Sequence, residues 1–287
     1  MRVIVTGGSG KAGREVVRVA AAAGHQIVNL DLARPDAELD LPGEFCRVDL
    51  SNAGEVYDAF FQFRPEAVCH LAANPSPSGQ ARVDVFTNNV LSTYNVLQAA
   101  GDLGAARVAY ASSEMATGLI HEGVVPTRIP FDESERHPSP NAYALSKYLS
   151  EIIAESLAVR YPETAFVGLR INNVIASDEY HVLQARRDDP ATGAFNFWSY
   201  IDARDVGGAY LAAISGKTTG NEAFLIAAAD TSADRPLGEL MATYYPGYDR
   251  IAPDHDDFAS AFSSAKIARL LDWTPRFSWR TMGSDNV

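Results

Sequence analysis

The glycine-rich segment near the start of the chain constrains the fold more than any other feature. Residues 2–6 form a β-branched run typical of a buried strand, and Gly7, Gly10 and Gly13 follow in the pattern Thr-Gly-x-x-Gly-x-x-Gly. A helical pattern then occupies residues 14–23. Glycines permit a sharp turn, and a helix N-terminus offers free N–H groups to a pyrophosphate. Three glycines alone are a weak motif, but the strand before them and the helix after them are the context that dinucleotide binding requires.

Strand-like and helix-like segments alternate through the first 170 residues. Strands are predicted at 26–30, 45–48, 67–71, 106–110 and 164–170, and helices at 51–61, 83–100 and 141–161. This alternation predicts an α/β fold with a doubly wound parallel sheet, in which ligands bind beyond the carboxyl ends of the strands. Residues 1–170 would hold the cofactor, and residues 171–287 would form mostly a small substrate-binding lobe, with segments that return to the core. Residues 171–197 are expected to be irregular, and residues 119–140 to be a loop that covers the site.

Asp31 follows the second predicted strand and bears on the choice of cofactor. It lies about 20 positions beyond the glycines, where a carboxylate can accept hydrogen bonds from an adenosine ribose. A negative charge there disfavours a 2′-phosphate, so NAD is favoured over NADP. Arg34 leaves the alternative open, because a nearby arginine can accommodate that phosphate.

Tyr143 and Lys147 lie four residues apart at the start of a predicted helix. This spacing puts both side chains on one helical face. A nearby ammonium would lower the pKa of the phenol and prepare it for acid/base work. The same pair is also common on protein surfaces, so its meaning depends on Ser112 and Ser113, which follow the fifth predicted strand.

Charge and composition exclude several kinds of partner. The net charge of -12 would repel nucleic acid and anionic membranes. The two cysteines, Cys46 and Cys69, lie in predicted strands and are expected to be small buried residues, with no disulfide and no metal site. No apolar run approaches membrane-spanning length, which favours a cytoplasmic location. Residues 283–287 are expected to be mobile.

The glycine turn, the serine pair and Tyr-x-x-x-Lys together resemble the extended short-chain dehydrogenase/reductase superfamily, or NAD-dependent epimerase/dehydratase family. The sequence Asp-Trp-Thr-Pro at 272–275 resembles the usual C-terminal ending of that family. The resemblance implies a Rossmann-type fold, an NAD cofactor and an enzyme that transfers a hydride between nicotinamide and a carbinol carbon. It also implies a homodimer that forms through the helices at 83–100 and 141–161.

The resemblance also assigns roles to individual residues. Tyr143 would exchange the proton, Lys147 would bind the nicotinamide ribose and lower the Tyr143 pKa, and Ser113 would bind the reacting oxygen. Ser112 would be structural or a substitute for Ser113. The implied cofactor contacts are Gly7, Ser9, Gly10, Lys11, Ala12, Gly13, Asp31, Asp49, Leu50, Leu71, Ala72, Ala73, Asn88, Ser112, Tyr143, Lys147, Ile171 and Asn173. The implied substrate contacts are Asn74, Ser113, Glu114, Asn173 and Trp198.

Departures from the family patterns narrow the reaction. Sugar-nucleotide dehydratases carry Asp-Glu where this chain has Glu114 and Met115, and methionine cannot act as a base, which argues against dehydration. Glu114 could bind a substrate hydroxyl or be an exposed loop carboxylate. Trp198 stands where UDP-sugar epimerases carry an arginine for the nucleotide phosphates, although Arg186 and Arg187 could substitute.

Three functions remain open at this stage. The first is an NAD-dependent dehydrogenase or reductase of a small sugar or sugar derivative, since the short lobe resembles uronate dehydrogenases in size and layout. The second is a nucleotide-sugar 4-epimerase of the UDP-glucose/UDP-galactose type. The third is a non-catalytic NAD-binding sensor, against which the retention of Ser113, Tyr143 and Lys147 argues.

Overall fold

The computed structural model of the protein describes residues 1–76, 78–121 and 123–281. Residues 283–287, for which the sequence predicts mobility, lie outside the described part. The described strands are β1 (Arg2–Thr6), β2 (Gln26–Asp31), β3 (Glu44–Arg47), β4 (Ala67–His70), β5 (Arg107–Ser113), β6 (Ala165–Ile171), β7 (Val174–Ile175), β8 (Ile201–Asp202) and β9 (Asn221–Ile226). Seven of them form one sheet in the order β3-β2-β1-β4-β5-β6-β9, and β7 and β8 form a separate pair. All neighbouring strands in both sheets are parallel.

Helices cover both faces of the main sheet. The described α-helices are α1 (Lys11–Ala22), α2 (Ala53–Phe63), α3 (Arg82–Asp102), α4 (Ala142–Arg160), α5 (His181–Asp188), α6 (Ala191–Ala194), α7 (Ala203–Ser215), α8 (Leu237–Tyr244) and α9 (Ala265–Leu271). Successive residues of β1 point to opposite faces. Val3 and Val5 pack in a core with residues of α1, α7 and α9. Ile4 packs in a second core with residues of α2, α3 and α4. The α/β class and the doubly wound parallel sheet predicted from the sequence are therefore confirmed.

The strand order reverses at β1, whose neighbours are β2 on one side and β4 on the other. The turns that follow β1 and β4 are tied to the strands beside them. The N–H of Gly7 donates to the Leu30 carbonyl at 2.9 Å, and the N–H of Leu71 donates to the Thr6 carbonyl at 3.1 Å. This reversal creates the crevice in which open parallel sheets bind ligands.

Helices α1 and α5 depart most from the sequence prediction. Helix α1 begins at Lys11, three residues earlier than expected, so Gly13 lies inside its first turn. Helix α5 occupies part of the segment that was expected to be irregular. Its local pattern is weakly amphipathic, and what anchors it is Leu183, which is fully buried in a small cluster with Tyr200. That tertiary contact cannot be inferred from the local sequence.

The expectation that residues 119–140 cover the site is wrong. Leu119, Ile129 and Phe131 are buried in a third core that underlies the C-terminal lobe. Phe131 and its neighbours pair with the chain near 251 and 262 through isolated bridges. Burial draws these apolar side chains into the third core, and no described residue of 119–140 lines the cavity described below.

Both cysteines are free, Cys69 being buried and Cys46 partly exposed. Within the described residues, no helix combines the length and apolar character needed to cross a membrane.

Candidate active site

A cavity of about 880 Å³ lies along the carboxyl ends of strands β1 to β6. Every residue that was predicted to act in catalysis or to contact the cofactor lines it. Of the predicted substrate contacts, all except Trp198 line it as well. The fold therefore brings together side chains that are spread over more than 160 residues of sequence, from Gly7 to Asn173.

The glycine turn fits a pyrophosphate because its backbone is packed too tightly for a side chain at Gly7 or Gly13. Only glycine allows the chain to turn so closely before helix α1. A Cβ on Gly13 would lie 2.0 Å from the Gly7 carbonyl oxygen, and a Cβ on Gly7 would lie 2.7 Å from the Ala72 nitrogen. Gly7 also has a positive φ of 71°. Gly10 precedes helix α1 and offers no side-chain cap, which leaves the first N–H groups of the helix to a ligand.

The end of β2 fits an adenosine ribose. One carboxylate oxygen of Asp31 accepts the N–H of Ser9 at 3.1 Å, and the other accepts the N–H of Leu32 at 2.7 Å. These bonds hold the carboxylate at the cavity wall. Arg34 does not line the cavity, and its guanidinium lies 4.9 Å from the ring centroid of Phe45. The residues present therefore fit NAD.

Ser113, Tyr143 and Lys147 meet at the end of β5. Asn141 caps helix α4 by accepting the N–H of Ala144 at 2.9 Å, which puts Tyr143 in the first helical turn. The ammonium of Lys147 donates to the Ala111 carbonyl at 2.9 Å and lies 5.8 Å from the ring centroid of Tyr143.

The expected lowering of the Tyr143 pKa is absent from this structure. Burial raises the pKa of the Tyr143 phenol to about 12, although a hydrogen bond with Ser113 acts in the opposite direction. Burial also lowers the pKa of Lys147 to about 8. The cost of burying a charge therefore sets the direction of both pKa shifts.

Ser112 and Ser113 face different partners. The Ser112 hydroxyl donates to Glu151 at 2.5 Å, and Glu151 pairs with Arg170 at 2.9 Å. The Ser113 hydroxyl accepts the N–H of Met115 at 3.2 Å and lies against Tyr143. Both serines line the cavity, but the Ser112 hydroxyl is engaged in a buried structural network, while the Ser113 hydroxyl lies beside Tyr143.

Glu114 is a buried carboxyl, so the alternative of an exposed loop carboxylate is wrong. Only 5% of the residue is exposed, and its Oε2 atom has no hydrogen-bond partner. Burial raises the pKa of this carboxyl to about 8, against the opposing effects of Arg186 and Asn196. A carboxyl of this kind carries its proton at neutral pH and can donate a hydrogen bond.

Trp198, predicted to contact substrate, lies outside the cavity and is fully buried. Its indole N–H donates to the Pro190 carbonyl at 2.7 Å, and its ring packs beside Tyr244 with centroids 5.5 Å apart. Burial against these groups makes it an anchor of the lobe. Among the described lining residues there is also no Arg186 and no Arg187. Arg186 is buried and donates to the Ser199 carbonyl, and Arg187 stacks on Trp279.

Sequence reasoning missed Asn89, which organises the turn after β4. Its side chain accepts the N–H of Asn74 at 2.7 Å and donates to the Asn74 carbonyl at 3.1 Å and to Ser146 at 3.2 Å. An asparagine on the buried face of a predicted helix is the signal that could have identified it. Phe195 and Asn172 also line the cavity, but they come from the segment that was expected to be irregular, so no local signal marks them.

Comparisons with known proteins agree with this geometry. A family model described as the NAD dependent epimerase/dehydratase family matches residues 3–227. The UDP-glucose 4-epimerase of Lacticaseibacillus casei is 26% identical over 318 aligned positions, which cover 96% of this chain and 92% of that protein. The crystal structure of the Thermotoga maritima UDP-glucose 4-epimerase with UDP-glucose has a TM-score of 0.73 at 22% identity and covers 97% of this chain and 94% of that one. That of the Brucella ovis UDP-glucose 4-epimerase in complex with NAD has a TM-score of 0.71 at 22% identity and covers 96% and 94%.

Proposed function

Because this chain belongs to the NAD-dependent epimerase/dehydratase family of the extended short-chain dehydrogenase/reductase superfamily, we propose that it is a dehydrogenase or reductase of a small sugar or sugar derivative. It is an NAD-dependent enzyme by family. The proposed reaction moves a hydride between nicotinamide and a carbinol or carbonyl carbon of the substrate. In this proposal residues 1–170 hold the cofactor, and residues 171–287 supply most of the substrate lobe.

The small number of positive charges in the cavity wall is the observation that favours a substrate without a nucleotide. Among the described lining residues the cations are Lys11 and Lys147, which belong to the glycine turn and to the catalytic group. The polar residues of the described lining on the substrate side are Asn74, Ser76, Glu114, Asn172 and Asn173, together with the apolar side chains of Met115 and Phe195. A nucleotide sugar brings a second diphosphate, which proteins bind with Arg or Lys. Amides and a protonated carboxyl suit the hydroxyls of a neutral sugar.

The chain supplies the proton chemistry in this reaction. NAD, held by the glycine turn and Asp31, would supply the hydride acceptor or donor. In oxidation Tyr143 acts as the phenolate and takes the proton of the substrate hydroxyl, and in reduction it acts as the phenol and gives a proton to the carbonyl oxygen, while Ser113 donates a hydrogen bond to the reacting oxygen. Lys147 would bind the nicotinamide ribose, and its ammonium stabilises the Tyr143 phenolate during proton transfer. Met115 has no proton to exchange, so elimination of water is not part of the proposal.

A nucleotide-sugar 4-epimerase is the second candidate, and one observation favours it. The L. casei UDP-glucose 4-epimerase aligns with nearly the whole chain. Such a reaction would use Tyr143 twice, first as base and then as acid at the same carbon. The lack of a further lining cation in the described residues weighs against it.

An NAD-reduction assay over free sugars, polyols, sugar acids and UDP-sugars tests the proposal. We expect NADH to form with a neutral sugar or polyol and not to form in the Tyr143→Phe variant. Interconversion of UDP-glucose and UDP-galactose without net NADH would establish the epimerase instead. Normal NADH binding without turnover of any substrate would instead support a non-catalytic NAD-binding sensor.

The assembly we propose is a homodimer. Leu91 and Tyr94 on α3 and Ile152 on α4 are exposed apolar side chains, and the two helices pack against each other. A paired copy would bury this surface. Equilibrium sedimentation should give twice the chain mass, and Leu91→Lys should give the monomer. A cytoplasmic location remains part of the proposal, since the enzyme draws on NAD.

A further inference from the structure

We propose that Glu179 is a positioning residue of the cofactor site. It holds Lys11 of the glycine turn and so ties the beginning of the C-terminal lobe across the groove that receives the dinucleotide. The pair opens when the dinucleotide enters or leaves. This inference depends on NAD binding and not on the identity of the substrate.

The tie consists of direct contacts between segments that are far apart in sequence. The ammonium of Lys11 lies 2.5 Å from the carboxylate of Glu179 and donates to the Val174 carbonyl at 3.4 Å. Lys11 is the first residue of α1, and Glu179 ends the short 3₁₀ helix Ser177–Glu179. One lysine therefore contacts two points of the chain that follows β6.

Glu179 is prepared for this role by its own surroundings. Its Oε2 atom, which pairs with Lys11, also accepts the N–H of Ala176 at 3.1 Å, and this bond fixes the carboxylate beside Lys11. Partial burial disfavours its charge, but bonds from Lys11 and Ala176 hold the pKa of Glu179 below its ordinary value, and the charge of Arg14 adds to this effect. The carboxylate is thus charged and fixed before any ligand arrives.

The tie joins two parts of the cavity wall that come from distant segments of the chain. Lys11 and Val174 both line the cavity, one from the turn after β1 and the other from the chain after β6. The uncapped N-terminus of α1 lies at the Lys11 side. A dinucleotide that enters or leaves beside this N-terminus has to pass the Lys11–Glu179 pair, and the pair closes again once the dinucleotide is bound. Entry and release of the dinucleotide are therefore coupled to opening of the pair.

The effect is expected in rates and in salt dependence. Both side chains are partly exposed, and ion pairs of this kind contribute little to equilibrium stability. Salt screens them. A contact that must break before the groove opens nevertheless slows both entry and exit of the ligand.

Stopped-flow binding of NADH in the absence of substrate tests the inference. Glu179→Gln should raise the rate of NADH release about three- to tenfold at low salt, because the tie is lost. Asp178→Asn is the matched control, since Asp178 is an exposed carboxylate in the same 3₁₀ helix, and it should leave the rate unchanged. Added salt should accelerate release from the wild type and leave Glu179→Gln almost unaffected.

Lys11→Gln tests the same tie from its other end. The double variant with Glu179→Gln should release NADH at the rate of Lys11→Gln alone, because a broken pair cannot be broken again. Equal release rates in wild type, Glu179→Gln and Asp178→Asn at low salt would overturn the inference. Additive effects of the two substitutions would also overturn it, and they would show that each residue acts separately.

Discussion

The two halves of the cavity recognise their ligands in different ways. The cofactor half is built mainly from backbone and small residues at strand ends, such as Gly7, Gly13 and Ala72, with Asp31 as its carboxylate. The substrate half is built from larger side chains, including Glu114 and Phe195. It also holds two buried polar atoms without partners, Oε2 of Glu114 and Nδ2 of Asn172. In the proposed function the first half is a fixed receptor for NAD, and the unpaired atoms of the second half are hydrogen-bond partners for the substrate.

Tyr143 lies where the two halves meet, and its substitution should have the largest effect on turnover with no effect on cofactor binding. Tyr143→Phe removes the proton-exchanging hydroxyl, so kcat/KM should fall about 10²- to 10⁴-fold. NADH affinity should stay at the wild-type value. Steady-state kinetics and NADH fluorescence titration measure the two quantities, with Tyr148→Phe on the same helix as control. Near-normal turnover in Tyr143→Phe would remove this residue from the reaction.

Trp198 and Phe195 differ in burial, and this difference should separate stability from substrate binding. Trp198→Ala empties a fully buried site and should lower the free energy of unfolding by about 3–5 kcal/mol without a matching change in KM. Phe195 is 51% exposed at the cavity wall, so Phe195→Ala should raise KM and change stability by less than about 0.5 kcal/mol. Denaturant unfolding and kinetics measure both. A larger KM effect at Trp198 would return it to the substrate site.

Glu114 should give the substrate half a pH-dependent stability. Its pKa is raised to about 8, so the folded state keeps a proton that the unfolded chain releases. Folding stability is therefore intact below the ordinary carboxyl pKa and is lost as pH rises from about 5 to 8, at about 1.4 kcal/mol per unit of pKa shift. Glu114→Gln should abolish this loss, because it cannot ionise.

Unfolding by denaturant at pH 5 and pH 8 measures the Glu114 effect. The comparison ends at pH 8 because the pKa of Lys147 is lowered to about 8. Above that pH the folded protein has released the Lys147 proton while the unfolded chain keeps it, so this group makes folding stability rise with pH. Asp205, whose pKa is raised to about 6, contributes equally to both proteins and cancels in their difference. Parallel pH profiles for wild type and Glu114→Gln would mean that Glu114 is charged in the folded protein at neutral pH.

Asp31 should give the smallest of these effects, confined to the cofactor half. Asp31→Asn removes the charge but keeps an acceptor for the N–H of Ser9, so NADH should bind about tenfold more weakly and the preference over NADPH should shrink. Fluorescence titration with both dinucleotides measures this change, and the exposed Asp36→Asn provides the control. Tighter binding of NADPH than NADH to the wild type would contradict the assignment of Asp31.

The local sequence pattern predicted the residues of the cofactor half well, because backbone groups form most of that half. Gly7, Gly10 and Gly13 mark a turn directly, and Asp31 is placed by counting from it. The predicted start of α1 was three residues too late, because glycine is unusual inside a helix. Gly13 is needed in the first turn of α1 because a side chain there would clash with the Gly7 carbonyl. The substrate half was poorly predicted for a related reason. Trp198 is buried in a cluster with residues of α8 and with Phe131, and α5 is anchored by the packing of Leu183 with Tyr200.

The sequence by itself determined the α/β class, the parallel sheet, the family and the spacing of Ser113, Tyr143 and Lys147. Periodicity, glycine spacing and i, i+4 geometry are local properties, so they can be read without a structure. Only the tertiary structure decided that Glu114 is buried, that Trp198 faces away from the cavity, and that Lys11 meets Glu179. Burial and ion pairing between distant segments arise from the packing of the whole chain, and pKa values follow that packing.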